Sequence, residues 1–512
     1  MAGGLIKPDE AFESVESFSP ADERFNRRRR TFGLVLGPLA FAVLFLLPMP
    51  ALSPAAHRLA AILALMIVFW VTEALPLAVT ALVGPVLAVL LGVAAVRPVF
   101  APFADPIIFL FIGSFMLAQA MFVHGLDRRI AFTALSFKAV GSSPGRILIA
   151  YGLVAAVLSM WISNTATTAM MFPLGLAVMG HLAAGREREP GIRRYAMAMM
   201  LMTSFGASIG GLATPVGTPP NLIGIALLRQ QAGIDISFDR WMLIGFPIAA
   251  IVLAGLFGLF HLMVVRGLTF GGSGSELVRE ELRKLGPLTR GQRNVMIAFF
   301  TTVLLWLLPG VFAITGTAAS GVARAYAALV PESIAAMIGA TLLFLLPVHW
   351  ASRRFTITWE QASRIDWGIV LLFGGGLSMG ALADSTGLAA AMGSALAGSM
   401  SEPSPLLLTM VFTAVAIAMS EAASNTASAT IVVPIAIAVS MAAGVSPLEP
   451  ALGATFGASM GFMMPISTPP NAIIYSSGHV PITQMIRHGL LLDLLGFIVI
   501  VTLVMTLGRF VA

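Results

Sequence analysis

Apolar runs separated by short polar or basic segments fill the chain from residue 32 onward. A helix needs roughly 20 residues to cross the hydrocarbon core of a membrane. The pattern therefore predicts eleven spans, at 32–48, 57–75, 78–96, 104–123, 192–226, 241–265, 293–313, 332–348, 367–392, 448–476 and 485–508. Two of them, 192–226 and 448–476, are interrupted. Two further apolar stretches, 147–182 and 404–441, are too long for one span, and each carries Ser-Asn-Thr near its middle. Both are read as re-entrant hairpins that enter and leave on the same side. The pattern thus predicts an all-α polytopic membrane protein.

The basic residues test that topology. With the hairpins re-entrant, 24 of the 30 Lys and Arg fall on one side, including Arg27, Arg28, Arg29 and Arg30 directly before the first span. The other six are Arg58, Arg97, Arg229, Arg240, Arg324 and Arg509. Lys and Arg concentrate in cytoplasmic loops, so the expected arrangement is N-terminus in, C-terminus out, in an inner or plasma membrane. The first 30 residues are polar, and no secretory signal is expected.

Composition narrows the function classes. The chain is 58% hydrophobic and 11% charged, against about 25% charged in soluble domains, and its mean hydropathy is +0.92. The absence of cysteine excludes disulfides, thiolate zinc sites and cysteine catalysis. A pI near 10.3 would suit nucleic-acid binding, but the charges lie in membrane-flanking loops, so no nucleic-acid partner is expected. Fifty glycines and 31 prolines suggest broken helices, which membrane proteins tolerate better than soluble ones.

An internal repeat fixes the architecture. FIGSFMLAQAMFVHGL at 111–126 pairs with FGGGLSMGALADSTGL at 373–388, SNTATTAM at 163–170 with SNTASATI at 424–431, and PVGTPPNLI at 215–223 with PISTPPNAI at 465–473. Their order is the same and their offsets are 262, 261 and 250 residues. Each copy holds an odd number of crossings, so the two are inverted. Inverted repeats with discontinuous helices at matching positions point to a transporter whose binding site lies where the repeats meet.

Ser163-Asn164-Thr165 and Ser424-Asn425-Thr426 are residues that compete with helical backbone bonds and favour turns and caps. A hairpin tip built from them aims helix N-termini at an anion, and its side-chain and backbone oxygens suit a hard cation. Gluing helices together is the alternative role for one such triplet; two in register favour a site. Thr218-Pro219-Pro220-Asn221 and Thr468-Pro469-Pro470-Asn471, with Pro215 and Pro465 upstream, must unwind their helices, since proline removes a donor and clashes with the preceding turn. Irregular backbone at membrane depth survives where it lines a cavity or is buried in protein. No Arg or Lys lies near these elements within the membrane, so a bound anion needs dipoles, hydroxyls and a co-bound cation.

Other candidates are weaker. Gly206-Ala-Ser208-Ile-Gly210 and Gly457-Ala-Ser459-Met-Gly461 match the nucleophile-elbow pattern, but they sit in apolar spans without a strand–turn–helix context and read as close-packing residues. Glu421 is expected to order the second hairpin or serve a cation site, and Glu73 to cap a span. Asp384 and Asp493 are candidates for proton sensitivity. His124 and His479 read as solvated at loop edges.

The paired SNT and TPPN segments, with WVTEALPLAVTAL at 70–82, resemble the divalent anion/sodium symporter family, the INDY-type dicarboxylate transporters. The resemblance covers nearly the whole chain after residue 30. It implies a homodimer working by an elevator mechanism, with Na⁺ as coupling ion. The expected division is a tail 1–30, scaffold 31–142, transport domain 143–265, linker 266–292, scaffold 293–403 and transport domain 404–512. It implies one sodium site at Ser159, Ser163, Asn164 and backbone near Gly217, and another at Ser420, Ser424, Asn425 and backbone near Ser467. Substrate carboxylates would meet Asn164, Thr165, Thr218, Asn425, Thr426 and Thr468, beside Pro219 and Pro469. Ser467 departs from the family, which usually has alanine there, and adds a hydroxyl that bears on cation selectivity. The resemblance implies Na⁺-coupled symport of C4-dicarboxylates; cation-independent exchange and transport of sulfate or other inorganic anions are the alternatives.

Overall fold

The computed structural model describes residues 20–137, 140, 143–183, 189–266, 268, 274–398 and 403–511. The first part of the polar tail, Lys138, Arg186 and Arg188 lie outside them. The described chain is helical apart from a short antiparallel ribbon, Pro347–His349 with Arg354–Phe355. Among the described residues, ten helices are long and apolar enough to cross a membrane, and a bent pair, Gly321–Leu329 with Glu332–Leu345, makes an eleventh. Three of the ten are hairpin arms: Asn164–Ala183, Pro405–Ala422 and Asn425–Ala442. Replacing them by Leu77–Leu90 and the two interrupted helices restores eleven spans beside two hairpins. Large apolar side chains face outward, as lipid requires: Phe300 is 60% exposed, Leu304 59% and Ile498 61%.

Several boundaries differ from the sequence expectation. The first helix starts at Pro20 rather than 32 and ends at Leu46. An apolar run marks the part of a helix that lies in lipid, whereas the helix itself continues through arginines, which are good helix formers. Arg29 Nη2 donates to Glu73 Oε2 at 2.9 Å, and Arg30 lies 3.6 Å from the same oxygen. Glu73 is the left-handed C-cap of Pro54–Thr72, with φ 49°, so the expected cap also anchors the first helix. The third span is Leu77–Leu90, cut short by Gly92 at φ 67°. The next crossing begins earlier than expected, at Val96, and reaches Val123 through a 3-10 turn at Ala101–Ala104.

The repeat is visible in the geometry. Pro106–Val123 and Trp367–Ser385 are each followed by a left-handed glycine, Gly125 at φ 61° and Gly387 at φ 80°. Each glycine opens a ten-residue helix, Leu126–Leu135 or Leu388–Ala397. The span expected at 367–392 therefore stops at Ser385. Phe111 and Phe373, equivalent positions in the two copies, touch edge to face with ring centroids 4.8 Å apart.

Each hairpin packs on the first half of an interrupted helix. Pro144–Ser159 and Asn164–Ala183 form the first hairpin and lie against Pro190–Gly211; Pro405–Ala422 and Asn425–Ala442 form the second, against Leu448–Gly457. The elbow-like motifs make this contact close. A Cβ at Gly206 would lie 3.3 Å from the Gly152 carbonyl oxygen, and one at Gly457 would lie 2.8 Å from that of Thr413. Among the described residues, Ser208 Oγ and Ser459 Oγ are buried without a hydrogen-bond partner, so none of those residues serves as a base to either hydroxyl.

Candidate functional site

The first cluster forms where a hairpin tip meets an unwound helix. Helix Pro144–Ser159 stops, four residues turn, and Asn164 opens the next helix. Ser159 Oγ donates to Asn164 Oδ1 at 2.6 Å. Opposite, helix Pro190–Gly211 ends and the chain runs without helix through Pro215 to Thr218. Asn221 Nδ2 donates to the carbonyls of Gly211 and Thr214, both at 2.8 Å, and Thr214 Oγ1 donates to the Met160 carbonyl at 2.5 Å. One asparagine thus pairs the Gly211 carbonyl, whose helical donor Pro215 lacks, and the Thr214 carbonyl, whose helical donor is lost by unwinding. A Cβ on Gly211 would lie 2.6 Å from Asn164 Oδ1 and 3.2 Å from the Gly217 carbonyl oxygen. Glycine keeps that small oxygen-rimmed space open.

The second cluster repeats the design. Ser420 Oγ lies 2.7 Å from Asn425 Oδ1 and 2.8 Å from the Ala458 carbonyl. Asn471 Nδ2 reaches the carbonyls of Gly461 and Met464 at 3.0 and 3.1 Å. A Cβ on Gly461 would sit 2.8 Å from Ser420 Oγ and 3.0 Å from Asn425 Oδ1. The clusters are tied together across the repeats, because Ser204 Oγ donates to Asn471 Oδ1 at 2.5 Å.

Two of the differences between the copies bear directly on these oxygens. Ser467 replaces Gly217, and its hydroxyl lies 3.0 Å from the Gly461 carbonyl and 2.7 Å from that of Met464. Glu421 replaces Met160, and its carboxyl accepts the N–H groups of Met463 at 2.7 Å and Met464 at 3.0 Å. Asp493, on helix Ile482–Leu507, approaches the same carboxyl. It is buried, and apart from that carboxyl no hydrogen-bond partner of its oxygens stands among the described residues. Asp384, by contrast, is exposed near the end of its helix.

The sequence-predicted residues fall into two groups. Ser159, Asn164 and Gly217 gather in the first cluster, and Ser420, Asn425 and Ser467 in the second. Ser163 and Ser424 cap the second hairpin arms, each Oγ accepting a backbone N–H at 3.2 Å, from Ala166 and Ala427. Thr218 and Thr468 are buried N-caps of Pro219–Ala232 and Pro469–Tyr475. Thr165 and Pro469 are exposed, while Pro219 and Thr426 are half-buried. Among the described residues, no hydrogen bond joins Thr165 or Thr426 to Thr218 or Thr468. Each cluster lies beside two helix N-termini, those of Asn164–Ala183 and Pro219–Ala232 in one and of Asn425–Ala442 and Pro469–Tyr475 in the other, whose partial positive charge favours an anion.

Among the described residues no group of three His, Asp or Glu stands together. A cation here would be held by amide, hydroxyl and carbonyl oxygens, the donor type a hard cation takes, around spaces that glycine leaves free. The sequence reading missed the clamping role of Asn221 and Asn471, although the asparagine closing each TPPN segment was the available signal. It missed the Glu421–Asp493 approach entirely, because 72 residues separate the two and nothing local links them. The solvated reading of two histidines is corrected. His124 is half-buried with Nε2 2.6 Å from the Thr356 carbonyl, and His479 is half-buried in the loop after Pro469–Tyr475. Both loop edges fold back onto neighbouring elements.

The model of the family described as the sodium:sulfate symporter transmembrane region matches residues 29–512. The chain belongs to this family. Its similar members include the sodium-dependent dicarboxylate transporter SdcS of Staphylococcus saprophyticus, 34% identical over 479 residues, covering 92% of this chain and 90% of the relative. SdcS of Staphylococcus aureus strain USA300 is also 34% identical, over 483 residues. Among solved structures, the YdaH transporter of Alcanivorax borkumensis matches with a TM-score of 0.54 and 17% identity, over 94% of this chain and 97% of that one. MtrF of Neisseria gonorrhoeae matches at 0.50 and 15%, over 80% and 82%. These two establish the likeness of fold, and the family membership rests on the sequence match.

Proposed function

We propose that this family member is a secondary active transporter, not an enzyme, that couples inward movement of Na⁺ to uptake of small dicarboxylates of the succinate, malate and fumarate class. The observation that carries the reading is the pair of glycine-backed oxygen clusters, each beside two helix N-termini. What supports dicarboxylates as substrate is the 34% identity to SdcS across nearly the whole chain.

Sodium ions would take oxygens at Ser159, Ser163, Asn164 and the backbone near Gly217 in one cluster, and at Ser420, Ser424, Asn425 and the backbone near Ser467 in the other. Their charge supplies what the side chains lack, since residues 403–486 contain neither Lys nor Arg. The substrate carboxylates would then meet Asn164, Thr165, Thr218, Pro219, Asn425, Thr426, Thr468 and Pro469. Transport would proceed by sliding segments 143–265 and 404–512 as one body against a scaffold of 31–142 and 293–403, in a homodimer, with the N-terminus cytoplasmic. The family's naming for sodium:sulfate symport favours a second substrate, sulfate.

The test is uptake of radiolabelled succinate into proteoliposomes, empty or preloaded with succinate, under inward Na⁺ or K⁺ gradients. Uptake into empty vesicles under Na⁺ alone is expected. Uptake only into preloaded vesicles, whatever the cation, would make the protein an exchanger and remove the sodium sites. Sulfate uptake without succinate uptake would move the substrate assignment to inorganic anions.

A further inference from the structure

A cavity of about 420 Å³ opens where Pro190–Gly211 and Ile482–Leu507 begin and the crossing that starts at Phe238 ends. Arg193, Arg194 and Arg487 stand exposed around it, with Met197, Met263 and Val264 as an apolar wall. Among the described residues, no carboxylate forms an ion pair with any of the three arginines. His488 lines the cavity and is 1% exposed. Its Nδ1 lies 2.7 Å from the Gln484 carbonyl; a carbonyl only accepts, so Nδ1 carries the hydrogen. Among the described residues Nε2 has no partner, and it is buried; buried polar atoms left unpaired are uncommon. His479 also lines the cavity, and burial, with Arg193 beside it, holds its imidazole below the ordinary range. None of these residues belongs to the oxygen clusters.

We propose that this cavity binds a phosphate group, carried by an anionic phospholipid headgroup or by free phosphate. Three arginines on two helices line the cavity. That arrangement suits a tetrahedral anion, whose oxygens can each engage a different fork, better than a planar carboxylate, which one fork satisfies. The apolar wall beside the arginines repeats the boundary between headgroup and acyl chain, and basic pockets between membrane helices bind such headgroups.

The experiment uses the full-length chain purified in detergent, titrated with phosphatidylglycerol, with phosphatidylcholine, with inorganic phosphate and with succinate. Native mass spectrometry and thermal unfolding are the readouts. The wild type is expected to bind phosphatidylglycerol at least about tenfold more tightly than phosphatidylcholine, or to bind inorganic phosphate above a chloride control. Binding of phosphatidylglycerol alone identifies a headgroup as the source; binding of inorganic phosphate as well shows that the phosphate group suffices. The triple variant R193Q/R194Q/R487Q is expected to lose the binding, and R193K/R194K/R487K to weaken it while keeping the charge. Should the triple variant fail to fold, Arg487→Gln alone, at an exposed position, is expected to weaken binding about threefold. The proposal is overturned if neither phosphate probe binds the wild type above its control, if the glutamine variants bind as the wild type does, or if only succinate binds through these arginines.

Discussion

At the scale of single residues, the two clusters are decided by what is small. Gly461 is required because a methyl group there would lie 2.8 Å from Ser420 Oγ and 3.0 Å from Asn425 Oδ1, filling the space that the oxygens surround. Gly461→Ala is expected to weaken the apparent Na⁺ affinity at least about tenfold, or about 1.4 kcal/mol, measured as the Na⁺ dependence of succinate uptake. An unchanged Na⁺ titration would remove this cluster from cation binding. Ser467→Ala probes the opposite change. The Ser467 hydroxyl contacts the Gly461 and Met464 carbonyls, and Asn471 holds the same two carbonyls independently. The alanine variant is therefore expected to fold normally and to bind Na⁺ roughly two- to fivefold more tightly, as carbonyl lone pairs are released. Weaker binding would make the hydroxyl itself a ligand. Both serine–asparagine pairs were legible in the sequence because they repeat in order. The glycines that back them were not, since nothing in a sequence states which atoms a Cβ would meet.

At the scale of elements, unwinding needs bracing, and the two copies are braced differently. Thr214 ties the first unwound segment to the Met160 carbonyl, whereas Glu421 holds the second through the N–H groups of Met463 and Met464. Glu421→Ala leaves both donors without their carboxyl partner. A fully buried unsatisfied donor costs about 1–3 kcal/mol, and these two are half-buried, so the apparent unfolding temperature should fall measurably. The Na⁺ dependence of uptake should also change from sigmoidal towards hyperbolic, as one of two sites is lost. A stability loss with the sigmoidal shape retained would confine Glu421 to a purely structural role. The interruption itself was legible, because consecutive prolines permit no continuous helix. Its bracing was not, because Glu421 lies 42 residues from Met463.

At the scale of the whole molecule, Arg229 and Asp105 form an ion pair at 2.5 Å between the proposed moving body and the proposed scaffold. Both side chains are partly exposed, so the pair is worth about 0.2–1 kcal/mol. Asp105→Asn is expected to change the maximal uptake rate roughly two- to fivefold with little change in the substrate concentration for half-maximal uptake. Equal rates would show that this contact does not differ between the states that limit transport. Orientation is testable because the chain has no cysteine, so any introduced thiol is unique. In intact cells an impermeant maleimide is expected to label Thr317→Cys and to spare Lys284→Cys. The reverse pattern would invert the topology drawn from the basic loops.

The sequence by itself determined the crossings, the two hairpins, the inverted repeat and the unwound segments. Each follows from local rules: apolar length against membrane thickness, charge against side, and proline against the helical hydrogen bond. Tertiary structure alone decided which oxygens face one another, that Asn221 and Asn471 stand in for missing backbone donors, and that Glu421 meets Asp493. It also decided that Arg193, Arg194, Arg487 and His488 converge on one cavity. These are meetings between distant segments, and their geometry depends on how closely whole helices pack, which no local pattern of residues encodes.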